Sequence, residues 1–215
     1  QLLRRPWRLE RSWFVVARSC SLACSCATPD PSNVVRTLAL SLDFLMTGEF
    51  TEGFGILSEI DYQTEFSFWC LWNAPLVVAT DIRKMRFKQV LLNSEAIAVN
   101  QDPLAIAGDR TAKFSDGGEV WAKPLSNNRW AVILYNSDVK EWHAPINTTV
   151  LWTSSYLPGW PAGSSKASVR DLWAHANLGV FTAGYTATLQ PHQSNFLIVS
   201  PVSRAQEKAI VLQDD

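Results

Sequence analysis

The sequence predicts an α/β segment with a parallel sheet, followed by an all-β domain built as an antiparallel sandwich. Three observations predict it. Residues 38–79 read as a strand, a helix and a second, fully apolar strand. From about Arg110 the apolar period changes to short β-rich runs separated by turn residues. Hydrophobic residues make up 47% of the 215 and charged residues 18%, enough apolar surface for a packed core.

The first strand is Leu38 to Met46, an apolar run interrupted by Asp43 near its C-terminal end. Gly48, Gly53 and Gly55 mark a loop. Ser58 is placed to cap the next helix, with Asp61 at capping-box spacing. That helix runs through DYQTEFSFWCLWNA. Phe66, Trp69 and Cys70 share one face, Leu71 and Trp72 widen it, and Pro75 ends it. Leu76 to Ala79 is the second strand, closed by Thr80 and Asp81. Strand, helix, strand is a βαβ unit and implies parallel pairing. Polar side chains at the C-terminal ends of such strands, as Asp43 and Asp81 are, face the active-site side of an α/β barrel. Lys88 to Asn93 reads as a short helical stretch, with Ser94 to Val99 continuing or following it, and Asn100-Gln101-Asp102-Pro103 breaks the pattern.

The second half offers GEVWAKPL, NRWAVILYN, TTVLW, LGVFTAG, YTATLQ and SNFLIVSP as strands, six to eight in all. Val120, Ala122 and Pro124 alternate with Trp121 and Lys123. Asn127-Asn128 and Ala183-Gly184 read as hairpin turns. The sandwich should end near Val202. The domain reading is therefore a loosely ordered lead over 1–36, an α/β segment over 37–108, the β-sandwich over 109–203 and a charged tail over 204–215.

A net charge of −1 removes any electrostatic case for nucleic acid or an anionic membrane surface, and no run is long and apolar enough to span a bilayer. The lead segment begins at Gln1 and only faintly resembles a signal peptide, its apolar patch from Trp13 to Ala17 being cut by Arg18; a processed or incomplete chain is the expectation. Cys20, Cys24 and Cys26 lack an accompanying pair of His ligands and read as thiols of the lead segment, while Cys70 reads as a small core residue. No metal or cofactor is expected. Asn147-Thr148-Thr149 is a glycosylation sequon.

TEFSFWCLWNAPLVVATDIRKM followed by VLLNSEAIAVNQDPL resembles the end of the catalytic barrel in the α-galactosidases of glycoside hydrolase family 27. The family's F-S-x-W helix, A-P-L strand entry and D-[IL]-R strand exit correspond to Phe66–Trp69, Ala74–Leu76 and Asp81–Arg83, and its L-L-N…N-Q-D-P-L segment to Leu91–Leu104. In the second half Asp171-Leu172-Trp173, Gly179-Val180-Phe181-Thr182 and Thr186 to His192 resemble the family's ending. The resemblance covers about residues 42–201. It implies the end of a TIM (β/α)8 barrel over 37–108 followed by the antiparallel β-sandwich. It further implies hydrolysis of terminal α-linked galactose with retention, a galactoside or other carbohydrate as partner, a secreted or lysosomal/vacuolar location, and leaves homo-oligomerisation of a full-length protein open.

The departures matter equally. A retaining glycosidase needs two carboxyls about 5 Å apart, a nucleophile and an acid/base. The family carries them in a K-[YF]-D strand ending and a W-R-x-x-x-D-I loop, and neither occurs in this sequence; Trp7-Arg8 lacks the Asp that should follow. The chain is thus expected to be inactive alone. The candidate site residues are Asp43, whose family counterpart accepts hydrogen bonds from sugar hydroxyls, and Phe44, which would line the pocket floor. The alternative for Asp43 is a strand cap or a partner for an Arg. The alternative for the whole chain is a non-catalytic carbohydrate-binding module, which would show Trp142, Trp152, Trp160 or Trp173 in a flat exposed row. An unrelated active site is disfavoured, since no G-x-S-x-G elbow occurs.

Overall fold

The computed structural model describes residues 45, 58–138, 143–153 and 155–202. The lead segment, Asp43, Phe44, Trp142 and the tail lie outside the described residues.

Helix α1 (Glu59–Leu71) starts where the capping box places it. The Asp61 N–H donates to Ser58 Oγ at 3.2 Å, and Ser58 N–H donates back to Asp61 Oδ2 at 2.9 Å. Such a cap contributes roughly 1 kcal/mol. Its end is set by Asn73 before Pro75 can act. Asn73 takes a left-handed φ of 53°, its N–H donates to Cys70 O, and Ala74 N–H donates to Trp69 O at 3.1 Å. This is the Schellman arrangement, with Asn in the usual glycine place. The expected one-sided apolar face is too narrow a description. Tyr62 and every residue from Thr64 to Leu71 are buried, so the helix is enclosed nearly all round.

The apolar segment after Pro75 forms one parallel bridge, Leu45 with Val78, rather than a ladder-length strand. Leu45 N–H donates to Val77 O at 2.9 Å and Ala79 N–H to Leu45 O at 3.0 Å. The parallel direction expected of the βαβ unit is therefore present at that point. A 3-10 helix (Lys88–Leu92) and helix α2 (Ser94–Asn100) follow, separated at Asn93.

Among the described residues eight strands come next: β1 (Asp109–Lys113), β2 (Gly118–Leu125), β3 (Arg129–Asn136), β4 (Ile146–Leu151), β5 (Lys166–Asp171), β6 (Ala176–Thr182), β7 (Gly184–Leu189) and β8 (Ser194–Pro201). Six form an antiparallel sheet in the order β1-β2-β3-β8-β5-β6, and β4 pairs with β7 in a separate antiparallel sheet. Asn127 and Asn128 both take positive φ, 61° and 54°, and turn β2 into β3 as expected. Ala183-Gly184 does not make a hairpin. β6 pairs with β5 and β7 pairs with β4, so the chain crosses from one sheet to the other there. Gly184 permits the crossing: a Cβ on it would sit 2.5 Å from Val150 O.

The six-stranded sheet is covered on both faces. Trp121, Leu125, Ala131, Ile133 and Phe196 face a core shared with α1 and α2. Their neighbours Val120, Ala122, Val132, Leu134, Leu197 and Val199 face the β4–β7 layer. This is why β2 and β3 are buried along nearly their whole length, not in a half-buried alternation. The result is a helical layer, a large sheet and a small sheet.

Candidate functional site

Two places on this scaffold bear on function: the parallel bridge that adjoins the sequence-derived site, and the seam between the helical layer and the large sheet.

Leu45, directly after the candidate residues, is fully buried and hydrogen-bonded on both sides of Val78. Asp81 lies three residues beyond Val78, at the C-terminal exit of that segment. It is exposed and held by Arg83, whose Nε donates to Oδ1 and whose guanidinium NH2 donates to Oδ2, both at 2.9 Å. Those hydrogen bonds keep the Asp81 carboxyl below its ordinary pKa. The carboxylate is clamped by Arg83 and left in water.

The seam is built largely from the motif that carries the resemblance. Asn93 Oδ1 caps α2, accepting from Glu95 N–H and Ala96 N–H at 3.1 Å, while Asn93 Nδ2 donates to Leu172 O at 2.9 Å. Glu95 takes a forked pair of bonds from Arg170 of β5, at 2.5 and 2.8 Å, and a third contact from His175 Nδ1 at 2.7 Å. The Arg170 hydrogen bonds are the main reason its carboxyl is pulled down to about 2. Asn100 Nδ2 donates to Ala74 O at 2.9 Å. Asp102 accepts from Ser126 Oγ at 2.7 Å and from the Ser126 and Leu104 N–H groups. Burial works to raise the Asp102 pKa, but these bonds outweigh it and leave the group below its ordinary value.

Lys123 crosses the same seam from β2. Its ammonium, on a side chain only 1% exposed, donates to Val99 O at 2.9 Å, to Cys70 O at 3.2 Å and to Asn73 Oδ1. The carbonyls at the C-terminal ends of α1 and α2 thus converge on one cation. Burial pushes its pKa down to about 8. The adjacent Cys70 thiol is buried and raised well above its ordinary range, which makes it inert. Trp173 completes the seam by donating from Nε1 to Ser67 Oγ at 2.9 Å.

Chemically, this is a joint. Its carboxylates, Glu95 and Asp102, are engaged by fixed donors and held ionised, so neither is set to donate a proton. Sequence reasoning misses Asn93, Glu95, Asp102, Lys123 and Arg170 as a group. Asn93 before an apolar helical run is a cap signal in plain sight; the pairing of Glu95 with Arg170, 75 residues apart, has no local signal.

The flat tryptophan row of the binding-module alternative is not formed by its described members. Trp152 is fully buried and donates to Phe181 O, while Trp160 and Trp173 are half-buried with their indole N–H groups spent on Ser164 O and Ser67 Oγ. A shallow cleft of about 220 Å³ lies beside Trp152, Trp160, Pro161 and Gly163. His143, His175 and His192 each face a carboxylate, of Asp138, Glu95 and Asp61 respectively. Asp43 and Phe44 fall outside the described residues.

Residues 115–199 match the family described as the α-galactosidase C-terminal β-sandwich domain. The chain is 41% identical over 151 residues to an α-galactosidase of Oryza sativa subsp. japonica, covering 69% of this chain and 34% of that one. It is 35% identical over 151 residues to an α-galactosidase of Coffea arabica, covering 69% and 38%. The chain resembles the C-terminal part of the family 27 α-galactosidases. The fold agrees: α-galactosidase I of Mortierella vinacea superposes with a TM-score of 0.64 at 24% identity, over 82% of this chain and 51% of that one. The Saccharomyces cerevisiae α-galactosidase solved with raffinose gives 0.64 at 17%, over 75% and 47%. The match thus spans between a third and two fifths of the two plant enzymes.

Proposed function

We propose that this chain is the C-terminal portion of an α-galactosidase-type retaining glycoside hydrolase acting on terminal non-reducing α-D-galactose, and that its 215 residues do not hydrolyse a galactoside by themselves. The observation that carries the reading is the 41% identity to the rice α-galactosidase, which extends beyond the sandwich family's own 115–199 range. The parallel bridge of Leu45 to Val78, ahead of that sandwich, supports taking residues 37–108 as the end of a (β/α)8 barrel. In this reading the sandwich braces the last barrel turn through Asn93, Asp102, Lys123 and Arg170. Asp43 accepts hydrogen bonds from sugar hydroxyls, and Phe44 lines the pocket.

The chemistry sets the second half of the proposal. Retention needs a low-pKa nucleophile and a raised-pKa acid flanking the anomeric carbon. The sequence contains neither K-[YF]-D nor W-R-x-x-x-D-I, and the seam carboxylates are committed to structure. A galactoside would then meet hydrogen-bonding groups but nothing to attack it. The full protein is expected in a secreted or lysosomal/vacuolar compartment. The test is hydrolysis of a fluorogenic α-galactoside by the purified chain. No turnover is expected, and robust turnover would place the catalytic carboxyls in this chain and overturn the claim that it does not hydrolyse a galactoside by itself.

A further inference from the structure

Asn147-Thr148-Thr149 is the only Asn-x-Ser/Thr triplet in the chain, and the fold gives it an unusual setting: the middle of β4, in the small outer sheet. Side chains alternate along a strand, so Asn147 and Thr149 share one face and Thr148 takes the other. Thr148 is fully buried, whereas Asn147 is exposed and Thr149 half-exposed. On the paired strand β7, Thr186 and Thr188 are exposed on the same outer face. Thr188 Oγ1 donates to Asn147 Oδ1 at 2.8 Å, and the Thr149 and Thr186 hydroxyls meet at 2.8 Å. The carboxamide is therefore oriented through its oxygen. Its Nδ2 has no hydrogen-bond partner among the described residues. The outer face around it is a neutral row of Asn147, Thr149, Thr186 and Thr188.

We propose that Asn147 is an N-glycan acceptor, occupied when the chain enters a compartment that holds an oligosaccharide transferase. The reaction is a glycosyl transfer from a lipid-diphosphate-linked oligosaccharide. Asn147 Nδ2 attacks the anomeric carbon of the reducing-end sugar, the C–O bond to the lipid diphosphate breaks, the lipid diphosphate leaves with the bonding pair, and the Nδ2 proton passes to the transferase. Thr149 supplies the hydroxyl that the triplet requires. The folded chain then accommodates the product without rearrangement, because Asn147 is exposed among short side chains. The inference is independent of the α-galactosidase reading.

The experiment is translation of the full chain behind a cleavable signal peptide in the presence of endoplasmic-reticulum microsomes. Signal cleavage and protease protection report entry. The expected result is one upward mobility step in the protected chain, removed by peptide-N-glycosidase. Asn147→Gln and Thr149→Ala should abolish the step, and Thr149→Ser should keep it. These readouts do not depend on folding of the variants. A protected, signal-cleaved wild-type chain with no step, or a step that survives Asn147→Gln, overturns the proposal.

Discussion

Asn93 is the residue whose loss should be felt most for its size. It is 4% exposed and does two jobs at once: Oδ1 caps α2 through two N–H groups, and Nδ2 satisfies the buried carbonyl of Leu172. α2 has seven residues, far too few to hold itself together in water, so its start depends on that cap. Losing an Asn cap costs about 1 kcal/mol. Leaving the carbonyl of Leu172, itself 1% exposed, without a donor costs a further ~1–3 kcal/mol. Asn93→Ala should therefore destabilise the chain by about 2–4 kcal/mol, a fall in Tm of very roughly 4–16 °C at this chain length. Asn93→Ser separates the two jobs, because its hydroxyl still caps α2 but cannot reach Leu172; it should cost about 1–3 kcal/mol and less than Ala. Urea unfolding followed by tryptophan fluorescence measures both. An Ala variant within about 0.5 kcal/mol of wild type, or Ser and Ala variants that coincide, would refute the seam argument.

Gly108→Ala would place a Cβ 2.5 Å from Leu71 Cγ, in a side chain with no exposure, and should cost about 1–3 kcal/mol by overpacking; Leu71→Ala in the same chain should make the added methyl harmless, as a double-mutant cycle in denaturant will read. Glu95 is depressed to about 2, so its contribution is complete above the unfolded carboxyl value near 4.5 and is lost as pH falls through about 2. Allowing for solvent screening of this partly exposed pair, that is about 1–2 kcal/mol, and Glu95→Gln should flatten the difference in stability between pH 6 and pH 2 by about that amount. Lys123 moves stability with pH in the same direction, but because burial disfavours its charge rather than because partners hold it. Its folded pKa near 8 lies below the unfolded value, so the chain should gain stability as pH climbs from about 8 to 10.5, by up to about 3 kcal/mol. Lys123→Met removes the titration, so the wild-type-minus-variant difference, measured by denaturant unfolding across that range, should rise with pH; a flat difference contradicts the assignment.

Local chemistry is legible wherever one short segment decides the structure. Ser58 and Asp61 announce the start of α1, Asn127-Asn128 announces a turn, and six of the strands are visible as apolar β-rich runs. β1 (DRTAK) and β5 (KASVRD) are not, because they are short and polar and owe their pairing to β2, β6 and β8 rather than to their own side chains. Ala183-Gly184 misleads for a related reason. Its turn chemistry is real, with φ of 65° at Ala183, but which sheet each flanking strand joins is decided by long-range partners. The three-layer burial is likewise hidden. A run such as Trp130 to Leu134 states that a strand is covered, not that a helix covers one side and a second sheet the other. The candidate residues Asp43 and Phe44 come from the resemblance, while the seam that the same motif builds becomes visible only when Glu95 and Arg170 are brought together.

The central claim is that these residues serve as the C-terminal part of an α-galactosidase-type enzyme. The direct test is a chimera in which residues 58–202 replace the corresponding part of the rice α-galactosidase. Its kcat/KM on p-nitrophenyl α-D-galactoside should fall within about tenfold of the parent, corresponding to no more than about 1.4 kcal/mol lost at the transition state. A chimera that folds cooperatively, as judged by its thermal transition, yet shows no hydrolysis would contradict the claim.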